Sequence, residues 1–247
     1  MPRVIAFVNG ALGARALTTL GDALVAVVAH APERRRDGDA ILAAKPARVP
    51  LFVAPDVASA DGIAALRALA PTHGLSVLFG HILRADALAV FPHGIANLHP
   101  SLLPAGRGAH PNAWAIARRE PSGATLHLID AGVDTGPILA QEAVPPSPVD
   151  SAATLHARLL DACARLLERE VPRWLAGALV ARPQPAGGAA RRVRDLDALL
   201  AVDAEGTYTG RELIDLLRAR TFAPHPGAPY LCDGRRYRLR LEITEEP

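Results

Sequence analysis

The sequence has few cysteines, few aromatic residues and no long apolar run. Its two cysteines, Cys163 and Cys232, lack CxxC spacing and make no disulfide framework, which predicts a reduced, cytoplasmic setting. No apolar stretch approaches the roughly 20 residues of a membrane span. Met1-Pro2-Arg3 leads directly into an apolar run, without the charged, apolar and small-residue regions of a signal peptide. A soluble protein with no membrane partner is expected. Charge of one sign is scarce as well: 27 Lys and Arg face 25 Asp and Glu, a net +2, with a pI near 8.8. Such a balance does not advertise nucleic-acid binding. Apolar residues, by contrast, make up 50% of the 247, enough for one substantial α/β domain with a small appendage.

Arg3 to Val8 and Leu24 to His30 are continuous apolar runs of strand length. Between them Asn9-Gly10-Ala11-Leu12-Gly13 opens a helix-like segment to Leu20, as in the first strand and helix of a Rossmann-type sheet. The glycines permit a close turn at a helix N-terminus where an anion could sit, but the GxGxxG spacing of a dinucleotide site is missing. Glu33 to Asp39 is a charge run that reads as a solvated loop, with phosphate contact the lesser alternative. Helices are predicted over Asp39 to Ala44 and Ser59 to Ala70, with a short strand near Val49 to Val53. A further buried strand is predicted over Leu75 to Phe79, running into Gly80-His81-Ile82-Leu83.

The densest chemistry lies between Ile95 and Gln141. Ile95 to Leu98 is fit for a buried strand end, and extended geometry places Asn97 and His99 on one side of it. Pro100 and Pro104 then stop regular structure, so His99 opens an irregular loop from Ser101 to Gly108. Open α/β sheets put their sites in such loops at strand ends. Ala124 to Asp130 alternates as a strand, and Ala131 to Gly136 turns it into another, Pro137 to Val144. That turn carries the carboxylate of Asp134. Taken singly, an Asn-x-His is a common loop feature and Asp-Thr-Gly a common turn. Together, an amide, an imidazole and a carboxylate suffice for acyl transfer: the amide polarises a carbonyl, the imidazole handles the proton, the carboxylate orients it. His93, His99, His110 and His127 show no closely spaced ligand pattern, so no metal is implied, and His127 fits an alternating strand face.

Asn97-x-His99-Pro100-Ser101-Leu102-Leu103-Pro104, followed by Arg107-Gly108 and by Asp134-Thr135-Gly136, resembles the folate-dependent formyltransferases. That family includes methionyl-tRNA, glycinamide ribonucleotide and nucleotide-sugar N-formyltransferases. The resemblance implies a Rossmann-like, mostly parallel sheet and catalytic roles for Asn97, His99 and Asp134. It implies N10-formyltetrahydrofolate as co-substrate, held by His81, Ile82 and Leu83 and by Asp130, Ala131, Gly132 and Val133, and an amine substrate met by Arg107. Two departures stand out: Gly106 replaces an aromatic residue that many relatives carry, and His81 an arginine. Read without the resemblance, Ile82 and Leu83 are equally well ordinary core.

Asp150 to Thr154 reads as a helix start, and Leu155, Leu159, Ala162, Leu166 and Leu167 mark an apolar stripe to Trp174, with Cys163 beside it as core. Pro and Gly near Arg182 to Gly188 mark a boundary, giving a formyltransferase domain over 1–185 and a small α+β subdomain over 186–247. Arg191, Arg192 and Arg194 read as a solvated strand end, with contact to a polyanion the lesser alternative. A helix is expected from Thr209 to Arg220, capped by Thr207 or Thr209. A hairpin follows, Tyr230 to Cys232 and Arg236 to Ile243, turning at Asp233-Gly234. The segment from Leu217 to Ala228 with this hairpin resembles the C-terminal subdomain of nucleotide-sugar N-formyltransferases, which implies a nucleotide-linked amino-deoxy sugar as amine and a homodimer. Methionyl-tRNA fits less well, because those relatives are longer and +2 is weak for tRNA. Hydrolysis of formyltetrahydrofolate, which uses the same three residues, is the other alternative.

Overall fold

A computed structural model describes residues 1–54, 56–199 and 201–245. The chain divides into two compact units. The first comprises Met1–His99, Thr125–Gln141 and Cys163–Gln184, the second Pro100–Ala124, Glu142–Ala162 and Pro185–Pro247.

The apolar runs become a parallel sheet. β1 (Val4–Val8) and β2 (Leu24–Ala29) pair in parallel, joined by α1 (Gly10–Leu20), and α2 (Gly38–Ala44) leads to β3 (Leu51–Val53). α3 (Ala60–Ala68), started by the Ser59 hydroxyl accepting from Gly62 N, returns the chain to β4 (His73–Val77). The short α4 (Ala85–Leu88) precedes β5 (Ile95–His99). α5 (Pro111–Arg118) separates β5 from β6 (Gly123–Leu128), and β7 (Ile138–Ala143) completes a seven-stranded sheet ordered β3-β2-β1-β4-β5-β6-β7. Pairing is parallel from β3 to β5 and turns antiparallel between β5 and β6. The strands read as uninterrupted apolar runs because both faces are covered. Ile5, Phe7, Ala26 and Val28 pack with Ile63, Leu66, Phe91 and Ile95 in one cluster.

α6 (Ala152–Leu175) buries the expected stripe: Leu155, Leu159, Ala162, Cys163, Leu166 and Leu167 are inaccessible to solvent. In the second unit α7 (Val193–Leu199), β8 (Val202–Asp203), α8 (Gly210–Arg220), β9 (Ala228–Cys232) and β10 (Arg235–Leu239) form the C-terminal region, with a sheet ordered β10-β9-β8. The hairpin turns at Asp233-Gly234, both with positive φ, as expected for an Asp-Gly turn.

Four expectations are corrected. The fourth strand starts at His73 and ends at Val77, because Leu78 takes a left-handed conformation (φ 54°) that breaks the ladder. The N-terminus of α1 is closed by the chain's own oxygens: Asn9 Oδ1 accepts from Gly10 N (3.1 Å) and Arg36 N (2.8 Å), and Asp37 Oδ2 accepts from Ala11 N (2.9 Å). The charge run is thus tied to a helix end, while Glu33, Arg34, Arg36, Asp37 and Asp39 stay exposed as a solvated loop requires, and the first two amides of the helix already have acceptors. α4, α5 and α7 are helices in segments for which the sequence suggested none. Finally, Arg191 is no solvated strand end. Its guanidinium makes a two-pronged ion pair with Glu120 and lies 4.2 Å above the Trp114 ring, while its backbone brackets the loop after β5: Arg191 N donates to Arg107 O and Ala109 N to Arg191 O.

α8 begins with a full capping box: the Thr209 hydroxyl accepts from Glu212 N (3.2 Å) and Glu212 Oε2 accepts from Thr209 N (2.8 Å). Thr209→Ala should lower stability by about 1 kcal/mol in urea unfolding, and Thr209→Ser should restore it.

Candidate active site

The antiparallel register of β5 and β6 sets Asn97 opposite His127 and His99 opposite Thr125. Opposed residues of an antiparallel pair project to the same face, so Asn97, His127 and, two positions on, His99 share one side of the sheet. Asn97 Nδ2 lies 3.2 Å from His127 Nε2, and His127 Nδ1 lies 2.9 Å from the Leu128 carbonyl oxygen. A carbonyl only accepts, so Nδ1 carries the ring proton. In the neutral ring Nε2 is then an acceptor, and it is the Asn97 amide that donates to it. Burial keeps the ring neutral: desolvation first, then the neighbouring His99, lower the His127 pKa to about 4, against the opposing pull of Asp134, the Leu128 carbonyl and Asp130.

Asp134 reaches this face from the loop between β6 and β7. Its Oδ2 stands 3.6 Å from His99 Nε2 and its Oδ1 3.7 Å from His127 Nε2, both at ion-pair rather than hydrogen-bond range. The side chains are largely withdrawn from water, 11% exposed for His99, 17% for Asp134 and 2% for His127. The loop has its own scaffold. Asp130 Oδ1 accepts from Gly132 N (3.0 Å) and from the Thr135 hydroxyl (2.5 Å). Asp134 itself sits in the left-handed region (φ 53°), which a short polar residue tolerates. Gly136 is required by close approach, because a Cβ there would run into the Leu128 carbonyl.

The structure therefore brings Asn97, His99 and Asp134 together and adds His127. The sequence pattern placed His127 on a strand face, but only the pairing register identifies Asn97 as its partner. Asp130, Ala131, Gly132 and Val133 lie in the same loop as Asp134, with the Val133 side chain 47% exposed. The His81 ring contacts His30 (4.7 Å between centroids) and Phe79 (5.3 Å). Leu83 packs against the core cluster, but Ile82 is 85% exposed, which removes the core reading for that residue. Arg107 belongs to the second unit, where its Nη1 donates to Gly188 O (3.0 Å). Among the described residues no group of three His, Cys, Asp or Glu side chains could hold a metal.

Residues 21–171 match the sequence profile of the formyl transferase family. The chain belongs to this family. All three residues singled out above, and His127, fall within the matched span. Residues 195–245 match a second profile, the N-formyltransferase dimerization C-terminal domain. The methionyl-tRNA formyltransferase of Halorhodospira halophila is 40% identical over 197 residues, covering 78% of this chain and 58% of its own length. Among solved structures, a sugar N-formyltransferase from a Shewanella species superimposes with a TM-score of 0.85 at 22% identity, covering 100% and 99% of the two chains. An N-formyltransferase from Helicobacter canadensis, solved with folinic acid and dTDP-3-aminofucose, gives 0.72 at 18% identity over 95% and 85%. At such identities the likeness is one of fold.

His127 binds a proton near pH 4 in the native protein and near 6.5 when unperturbed, so between these values the unfolded chain takes up a proton that the folded one refuses. Stability should be greatest above pH 6.5, fall as pH drops towards 4, and level off below. His73, lowered to about 4 by burial and by His93, contributes in the same window. Urea midpoints measured across it should decline for the wild type and decline less for His127→Gln. Identical slopes would contradict the neutral assignment.

Proposed function

We propose that this chain transfers the formyl group of N10-formyltetrahydrofolate to the primary amine of a nucleotide-linked amino-deoxy sugar, by direct attack without a covalent enzyme intermediate. The observation that carries the reading is the convergence of Asn97, His99 and Asp134 on one face of the β5–β6 ladder, with His127 as the partner that orients the amide.

Amine attack on an amide-like carbonyl puts negative charge on oxygen and positive charge on the incoming nitrogen. Asn97 Nδ2 has two hydrogens, and with one directed at His127 the other is preset to donate to the formyl oxygen. One such donor contributes on the order of 3 kcal/mol of transition-state stabilisation. His99 accepts the proton of the attacking nitrogen, Asp134 stabilises the imidazolium that results, and the pair returns that proton to the folate N10 as its bond to the formyl carbon breaks, releasing tetrahydrofolate. His127, held neutral, adds no competing cation beside it. The folate supplies the activated formyl group. Exposed Ile82 and Val133, half-buried Leu83 and the backbone of residues 81–83 and 130–133 suit a flat heterocycle in a mainly apolar slot. Direct attack requires no serine or cysteine nucleophile, and of the two cysteines Cys163 is buried in α6 and Cys232 lies on β9.

The nucleotide-sugar reading draws on the match of residues 195–245 to the N-formyltransferase C-terminal profile and on the fold shared with sugar N-formyltransferases. In this reading residues 1–185 carry formyl transfer, with Arg107 meeting the amine substrate. Residues 186–247 carry homodimer assembly, with exposed Leu231 and Tyr237 on the β9–β10 hairpin available for burial. The second reading, methionyl-tRNA as amine, is favoured by the 40% identity to an enzyme of that name, of whose length the chain spans 58%. The net charge of +2 weighs against it.

The test is a mass-spectrometric screen of the purified protein with N10-formyltetrahydrofolate and a panel of nucleotide-linked 3-amino and 4-amino sugars, beside methionyl-tRNA and a no-amine control. A sugar product heavier by one formyl group is expected. His99→Asn and Asp134→Asn should each lower turnover by about a hundredfold or more with folding intact, and Asp134→Asn should still bind folate. Formylated methionyl-tRNA alone would establish the second reading, and formate released without any amine would establish a hydrolase. Near-wild-type turnover by His99→Asn would sink its assigned role.

A further inference from the structure

The segment Arg182-Pro183-Gln184-Pro185, which by composition reads as a mere boundary, bears on the loop that carries Asp134. Arg182 pairs with Ile138 at the start of β7, each backbone N–H donating to the other's carbonyl (2.7 and 2.8 Å). Pro185 disfavours helical backbone at the residue before it, and Pro183 fixes its own φ, so Gln184 is kept from helical backbone between them. From that anchored position Gln184 Nε2 donates to two carbonyls, Asp134 O at 2.8 Å and Gly136 O at 2.7 Å. These oxygens flank Thr135. One amide group therefore fixes the orientation of the peptide planes leaving Asp134 and Gly136, on either side of the Thr135 whose hydroxyl is held by the Asp130 carboxylate.

We propose that Gln184 is a positioning residue for the Asp134 carboxylate, holding it in the left-handed conformation from which it faces His99. The proposal rests on the catalytic role given to Asp134 above. Its chemistry is donor-specific: the Asp134 and Gly136 carbonyls are acceptors, so a group of the same shape that cannot donate to them should fail, and a different shape that can donate should partly serve. Glutamate, nearly isosteric, would set carboxylate oxygens against two carbonyl oxygens. Lysine keeps an N–H donor of comparable reach.

The experiment measures steady-state formyl transfer in full-length Gln184→Ala, Gln184→Glu and Gln184→Lys, alone and combined with Asp134→Asn, beside hydrogen–deuterium exchange of the peptide spanning residues 130–137. We expect kcat to fall about tenfold or more in the alanine and glutamate variants, with KM for both substrates within about twofold and lysine recovering most of the loss. In the Asp134→Asn background the same changes should cost less than about twofold, because the carboxylate being positioned is gone. Exchange in residues 130–137 should speed up in Gln184→Ala, whether or not activity is measured. Wild-type kcat in Gln184→Ala, or an equal loss with and without Asp134, would overturn the proposal. If Asp134→Asn itself kept full activity, the catalytic reading would fall instead, and faster exchange would still report the loop contact. Should Gln184→Ala not fold, the glutamate and lysine pair carries the comparison.

Discussion

The hydrogen bond between the Asn97 amide and a neutral His127 is the constraint on which the rest of the site depends. It exists because β5 and β6 run antiparallel and bring residues 97 and 127 face to face. It has one direction because the Leu128 carbonyl takes the Nδ1 proton, leaving Nε2 as acceptor. Burial removes the alternative in which the ring charges and the amide must turn round. With the amide so fixed, His99 stands two residues on along the same face, and Asp134 Oδ2 lies 3.6 Å from its Nε2. Each later element of the site, including the tight return at Gly136, serves to bring one carboxylate to that place.

Much of this was legible in the sequence, and for a physical reason. Buried parallel strands are apolar without interruption, so β1 and β2 stand out from their neighbours, and the stripe of α6 repeats at helical spacing from Leu155 to Leu167. Asn97 and His99, two residues apart on one strand, need only extended backbone to share a face. What escaped was non-local. His127 becomes a partner of Asn97 through register, which no single strand encodes. Gln184 acts fifty residues from Asp134 in sequence. The Trp114 helix escaped because it starts at Pro111 from His110, a residue in the left-handed region, without a side-chain cap to announce it.

The loop after β5 shows the same dependence on distant chain. Arg107 carries the resemblance to the family, yet its backbone and that of Ala109 are bonded to Arg191, and its side chain donates to Gly188. Arg191 in turn is held by Glu120 and by the face of Trp114. A stretch rich in glycine and arginine is thereby made into one wall of a loop eighty residues upstream. Gly187, Gly188, Arg192 and Arg194 stay exposed as their composition suggests, while Arg191 is half-buried because its partners lie elsewhere in the sequence.

The closed N-terminus of α1 has a consequence for ligand traffic. In the first strand–helix turn of a Rossmann-like sheet, the free amides and the helix dipole attract phosphate. Here Asn9 and Asp37 supply the oxygens, so the turn carries its own built-in anion. A nucleotide diphosphate arriving there would meet a carboxylate and amides already bonded. Asn9 and Asp37 thus do for the start of the first helix what a bound phosphate does in other such turns, and the turn is complete without a ligand.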